Sequence, residues 1–169
     1  MWPPGCGPLG PRRAEPPAGV TVELPVPRNG PGPSLRSVQD QAVPVRTKRW
    51  NDPAASDDGF RLLICRIRPR GVAKAAETWD AWWPDLGPSR PLLDAYHGKG
   101  GPPLPWDDYM RRYHGEMAGA AQLWRIRDLA RRVGAGETVT LLCSSACTDP
   151  ERCHRTLLAR LIAEVSGSR

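Results

Sequence analysis

An α/β fold is what this sequence predicts, and three observations predict it. Residues 60–67 and 138–143 are short apolar runs of the kind that form strands buried on both faces of a parallel sheet. Amphipathic helix patterns fill much of the chain between them. After the second run a loop and a further helix pattern follow, the arrangement with which α/β proteins present ligand-binding groups at the C-terminal edge of a sheet.

At 169 residues the chain suits one domain and a tail. Residues 1–44 hold 11 of the 20 prolines and 6 of the 17 glycines, and their apolar residues follow neither the helical nor the strand period. Such a segment cannot bury enough surface to offset its ordering, so the sequence predicts a disordered Pro/Gly-rich tail over 1–44 and a single α/β domain over 45–169. The tail carries no motif, and part of it is expected to be a start-site artefact. It lacks the apolar core of a secretory leader, and no run approaches the roughly 20 apolar residues of a membrane helix. A soluble cytoplasmic protein without membrane contact is the expectation. The formal charge is +6, of which the tail, with four basic and three acidic residues, carries +1. The basic excess therefore belongs to the folded part, where it suits an anionic ligand or nucleic acid, or simply a solvated surface.

Asp58-Gly59 is a turn signal before the first strand, and Pro69 ends that strand with Arg66, Arg68 and Arg70 at or beyond its C-terminal end. Residues 72–83 fit a helix whose Trp79, Trp82 and Trp83 share a face, stopped by Pro84. One helical turn fits 92–96. Trp106, Tyr109, Met110, Tyr113 and Met117 then fall on one stripe of a helix that Pro105 begins, a core stripe rather than a ligand box. Another amphipathic helix over 121–133 turns Leu123, Ile126, Leu129, Ala130 and Val133 inward and closes at Gly134 and Gly136. Thr138 begins the β-branched second strand, which Cys143 ends. Asp149 and Pro150 predict the N-cap and first position of the last helix, which buries Leu157, Leu158, Leu161, Ile162 and Val165.

The chemistry concentrates in "CTDPERCHRTLLARLIAE", residues 147–164. Three of the five cysteines, Cys143, Cys147 and Cys153, crowd into eleven residues, which in a reducing compartment favours metal or reactive-thiol chemistry over a disulfide scaffold. With the last helix starting near Pro150, Cys153, His154 and Arg155 lie in its first turns, where backbone N–H groups and the guanidinium suit an anion and a thiol would be acidified. Small buried cysteines and a surface arginine are the competing reading. The Cys-x5-Arg phosphatase signature fails: six positions beyond Cys143 stands Asp149, and beyond Cys147 stands Cys153. A zinc site of Cys143, Cys147, Cys153 and His154 has the ligand chemistry but not the usual close-pair spacing, and neighbours on one helix point about 100° apart. No metal ligand is therefore assigned, and no motif assigns a cofactor. His97 and His114 stand alone.

Residues 45–74, "VRTKRWNDPAASDDGFRLLICRIRPRGVAK", the later "LGPS", and "TVTLLC" followed by "DPERCHRTLLA" resemble the domain-of-unknown-function family 488, in particular its YeaO-like branch. The resemblance spans residues 45–164. It implies a three-layer α/β sandwich with a mainly parallel central sheet. It also matches the family's arginine-proline-arginine-glycine segment to Arg66, Pro69, Arg70 and Gly71, and its cysteine and Cys-His-Arg group to Cys143, Cys153, His154 and Arg155. Cys65 stands where the branch has aspartate, Arg68 where it has tryptophan, and the loop 144–146 is longer than is typical.

The arginine segment and the cysteine with its Cys-His-Arg group each stand at or beyond the end of a buried strand, so in a parallel sheet they converge on one edge. The reading is a pocket for a small phosphorylated or nucleotide-like anion, enzymatic or not. Arg66, Arg70 and Arg155 bind charge, Cys143 or Cys153 is the candidate nucleophile, and His154 the candidate acid or base. Arg155 is expected to matter to affinity rather than to stability. The alternatives are a nucleic-acid-associated binding protein without catalysis, which rests on charge alone, or a zinc-stabilised scaffold.

Overall fold

A computed structural model describes residues 45–167; the tail predicted over 1–44 lies outside the described residues. The element order is β1 (Val45–Arg49), β2 (Phe60–Leu63), β3 (Ala81–Trp82), α1 (Arg90–Tyr96), α2 (Trp106–Met117), α3 (Ala120–Gly134), β4 (Val139–Cys143) and α4 (His154–Gly167). The four strands form one sheet in the order β1-β4-β2-β3, with every pair parallel. The α/β class and the parallel sheet follow as the sequence predicts. The two predicted strands are direct neighbours, Phe60 facing Val139 and Leu63 facing Leu142, so their C-terminal ends share an edge.

Side chains alternate across β2 and along β4 as far as Leu142, as the two-residue period of a strand requires, and Cys143 at the strand's end departs from it. Leu62, Ile64, Val139 and Leu141 join the larger core with Tyr109, Tyr113, Ile126, Leu129, Leu158 and Ile162 of the helices. Leu63, Cys65, Leu142 and Cys143 point to a smaller core that Trp79, Cys153 and the half-buried Trp50 and Val72 complete. Helices thus cover one face, and connecting segments cover the other.

Three elements differ from the sequence expectation. The helix predicted over 72–83 is a single 3-10 turn, Lys74–Ala76, followed by the short strand β3. Pairing with β2 overrides helical spacing there: Asp80 N donates to Arg61 O at 2.8 Å, Trp83 N to Leu63 O at 3.0 Å, and Trp82 Nε1 to Cys65 O at 2.8 Å. The tryptophans consequently separate, Trp79 buried and Trp82 exposed. The strand predicted over 60–67 ends at Leu63, one residue before Ile64 N makes its bond to Leu142 O. The last helix begins at His154 rather than Pro150. Asp149 Oδ1 accepts the Glu151 N–H at 2.9 Å, closing a local turn that competes with helix initiation. The edge strand β1 is an addition that the polar run VRTKR does not announce.

Gly59 closes the turn before β2 with φ +60°, and a Cβ there would lie 2.1 Å from the Thr138 carbonyl oxygen. Only glycine permits both the left-handed backbone and that approach. Beside it, Asp58 is buried and ties three segments together: it pairs with Lys48 Nζ at 2.6 Å and with Arg61, and it accepts the Ala55 N–H at 3.0 Å.

Candidate functional site

A cavity of about 420 Å³ opens at the C-terminal edge of the sheet. The segment after β2 supplies Cys65, Arg66, Ile67, Pro69 and Arg70 to its wall; the end of β4, the loop after it and the start of α4 supply Cys143 to Cys147, Arg152, Cys153 and His154. Trp50 closes it beyond β1, and Leu93, Tyr96, His97 and Tyr109 close it from α1 and α2. This is where parallel α/β sheets place ligands, because strand ends and helix starts meet there. The α2 stripe serves both purposes: Tyr113 and Met117 are core, while Tyr109 packs at 4.5 Å against Tyr96 and reaches the cavity. His114 is exposed beside Tyr113, away from the cavity wall.

Of the residues singled out in the sequence, the structure brings Arg66, Arg70, Cys143, Cys153 and His154 to one cavity. Arg155 does not join them on its wall. It is 5% exposed, and its Nε and Nη1 are buried without a hydrogen-bond partner among the described residues. The late helix start sets this register and gives the wall position to Arg152 instead. The loop fold decides this, and residue spacing alone does not signal it.

The thiols gather at the cavity floor. Cys143, Cys147 and Cys153 offer sulfurs that all lie within 4.8 Å of one another. Cys143 Sγ donates to Cys147 Sγ at 3.3 Å. His154 Nε2 donates to the Ile64 carbonyl at 3.3 Å, and the ring places Nδ1 and Nε2 at 3.8 and 3.7 Å from Cys143 Sγ. Burial pushes the His154 imidazole below its usual range, aided by the Arg155 charge and opposed by Cys147 and the Ile64 carbonyl.

One thiolate is favoured in this cluster, and it is Cys147. Hydrogen bonds from Cys143 and Cys153 hold its pKa far below that of a free thiol, with help from the charges of His154 and Arg155 and against its own burial. Donating to Cys147 and lying beside Cys153 and Cys65, Cys143 is raised, and burial raises it further. Cys153 is raised as well: its bond with Cys143 works downward, but Cys147 and burial outweigh it. The sequence offers Cys143 or Cys153 as the candidate nucleophile; the arrangement of donors favours the thiolate form at Cys147, which is also the least buried of the three. In reduced, chelator-treated protein near neutral pH, iodoacetamide is expected to modify Cys147 well before Cys143 or Cys153, because the thiolate is the reactive form. Peptide mapping of the first-modified site checks this; Cys143 or Cys153 reacting first would contradict it.

Fold and site together define an α/β protein that gathers its ionisable and thiol groups at one edge of a parallel sheet. The chain belongs to the DUF488-N3 family: the family described as the active DUF488-N3 subclade matches residues 45–166. It is similar to the uncharacterized protein YeaO of Escherichia coli (strain K12), with 32% identity over 116 residues, 68% of this chain and 93% of that protein. The uncharacterized protein Rv3073c of Mycobacterium tuberculosis (strain ATCC 25618 / H37Rv) is 32% identical over 118 residues, 70% of this chain and 92% of its own length. The resemblance read from the sequence is thereby confirmed. No solved structure matches the chain. No helix among the described residues is long and apolar enough to cross a membrane.

Proposed function

We propose that the cavity binds a small phosphorylated or nucleotide-like anion. One observation carries this reading: the wall holds three arginines, Arg66, Arg70 and Arg152, and no carboxylate among the described residues. Many basic groups elsewhere have acidic partners, as in Arg49 with Asp52, Arg125 with Asp85 and Arg132 with Glu137. The cavity arginines are unmatched by carboxylates and meet a partly apolar, aromatic wall. That combination suits a ligand with a charged group at one end and a flat ring at the other. Cys147, as the thiolate of the cluster, and His154 both line the cavity that would hold such a ligand, and the family's description as active agrees with chemistry at this edge.

Isothermal titration of the full chain with inorganic phosphate and with adenosine monophosphate tests the reading. Both should bind, the nucleotide more tightly. Arg66→Ala and Arg70→Ala should each weaken binding about tenfold, since a hydrogen bond to a charged group is worth about 1.5–3 kcal/mol. Both side chains are exposed, so melting should barely move. Absence of binding, or variants that bind as the parent does, would overturn it. Binding confined to long oligonucleotides, with affinity falling steeply in salt, would instead establish the nucleic-acid reading.

A further inference from the structure

The three thiols at the cavity floor have a geometry that anion binding does not require. We infer that Cys143, Cys147 and Cys153 form a three-thiolate site for a zinc ion whose fourth position opens into the cavity. This goes beyond the anion reading and does not depend on it.

Distances carry the first part of the argument. Zinc–thiolate bonds of about 2.3 Å in a tetrahedron put sulfurs roughly 3.8 Å apart. The Cys143–Cys147 pair stands at 3.3 Å and all three sulfurs lie within 4.8 Å, so the required spacing falls inside the observed range. The ligands come from three differently anchored pieces of backbone. Cys143 ends β4, its carbonyl accepting from Trp50 N at 2.8 Å; Cys147 N donates to Ser144 O at 3.0 Å; the Cys153 carbonyl accepts from Thr156 N at 3.1 Å just before α4. Because Cys153 precedes the helix, the divergence of adjacent helical side chains does not apply, and His154 is not needed as a ligand. Its Nε2 is already engaged by the Ile64 carbonyl.

Charge carries the second part, and selects the ion. Three thiolates around a divalent cation leave one net negative charge in a buried place. Arg155, two residues beyond Cys153, supplies one positive charge there: it is 5% exposed and lacks hydrogen-bond partners at Nε and Nη1. A buried guanidinium of this kind is costly unless a negative group compensates it. A monovalent copper ion would leave two negative charges for the one arginine. The thiol protons leave to solvent as the ion binds. With three protein ligands, the fourth position falls to a water or a cavity ligand, the pattern of zinc sites that do chemistry rather than hold a fold.

The full chain, reduced with a phosphine and stripped by a chelator, is titrated with Co²⁺ as a spectroscopic stand-in. Thiolate-to-cobalt charge-transfer absorption should rise to saturation at one Co²⁺ per chain and vanish on addition of Zn²⁺. Cys143→Ser, Cys147→Ser and Cys153→Ser should each weaken binding by at least about tenfold, since even groups outside the ligand shell are worth 10–100-fold. Cys65→Ser, a change beside Cys143 rather than at a ligand, should weaken it less than any of the three. In the unmutated chain, Zn²⁺ should slow alkylation of Cys143, Cys147 and Cys153 together, a measurement that needs no variant to fold. Absent charge-transfer bands, a Cys65→Ser loss as large as that of Cys147→Ser, unchanged alkylation of the three thiols, or Cu⁺ binding without Zn²⁺ binding would each overturn the site. Phosphate titration of the metal-free chain reports on the anion reading separately.

Discussion

Replacing Asp58 by asparagine is expected to lower the free energy of unfolding by about 3–5 kcal/mol, because removing one partner of a buried ion pair strands the other. Asp58 is 1% exposed and Arg61 7%, with Lys48 completing the pair from β1. The carboxylate also accepts the Ala55 N–H, and the Asp58 backbone carbonyl accepts Thr140 Oγ1 at 2.6 Å, so the residue joins β1, β2 and β4 at the edge opposite the cavity. Burial works to raise its pKa, but the Lys48 hydrogen bond, the Ala55 amide and the charges of Lys48 and Arg61 outweigh it and hold the group below its ordinary value. A folded-state pKa below the unfolded one fixes the sign. The stabilisation is complete above the unfolded carboxylate value near 4 and is lost as pH falls through the folded value. Urea titrations of the parent should therefore show declining stability from about pH 4 downward, with a weaker decline in Asp58→Asn. Equal stability of parent and variant at pH 7 would show that the pair contributes nothing net.

The sheet and helix faces were legible where burial alone dictates pattern. The run Val139–Cys143 is buried at every position, and such a strand leaves a near-continuous apolar signature, broken here only by Thr140. The Tyr109, Tyr113 and Met117 stripe on α2 is equally plain, because one helix face meets one core. Legibility ended where a partner decides the outcome. Trp79, Trp82 and Trp83 carry helical spacing, yet hydrogen bonds to Arg61, Leu63 and Cys65 draw that segment onto the sheet. In the site, the crowding of Cys143, Cys147 and Cys153 was visible as spacing, but which sulfur becomes the thiolate depends on the direction of two hydrogen bonds that a loop creates. Arg155 leaves its expected place on the cavity wall to Arg152, which the sequence does not single out, because Asp149 closes a turn and the helix starts four residues later than Pro150. Three residues of register are enough to bury one arginine and expose another.

That shift of register leads to the last prediction, a contrast between two neighbours on α4. Leu158 is fully buried against the sheet, and Leu158→Ala removes its contacts and leaves a cavity, so it should cost about 2–5 kcal/mol. For a domain of this size that corresponds to roughly 8–20 °C in melting temperature. Arg155 is almost as buried but contributes differently, since its guanidinium has been taken from water without hydrogen bonds at Nε and Nη1. Arg155→Met keeps an unbranched side chain of similar length and removes the charge. Replacing buried charges by apolar groups is often neutral or stabilising by about 1–4 kcal/mol, so metal-free Arg155→Met should unfold no more easily than the parent. Its affinity for Zn²⁺ should nevertheless fall, because the negative charge of the thiolate cluster loses its counterion. Denaturant titration and Co²⁺ titration on the same preparations read the two effects side by side. A destabilisation by Arg155→Met as large as that of Leu158→Ala would make the arginine a packing residue and remove the charge balance on which the zinc site depends.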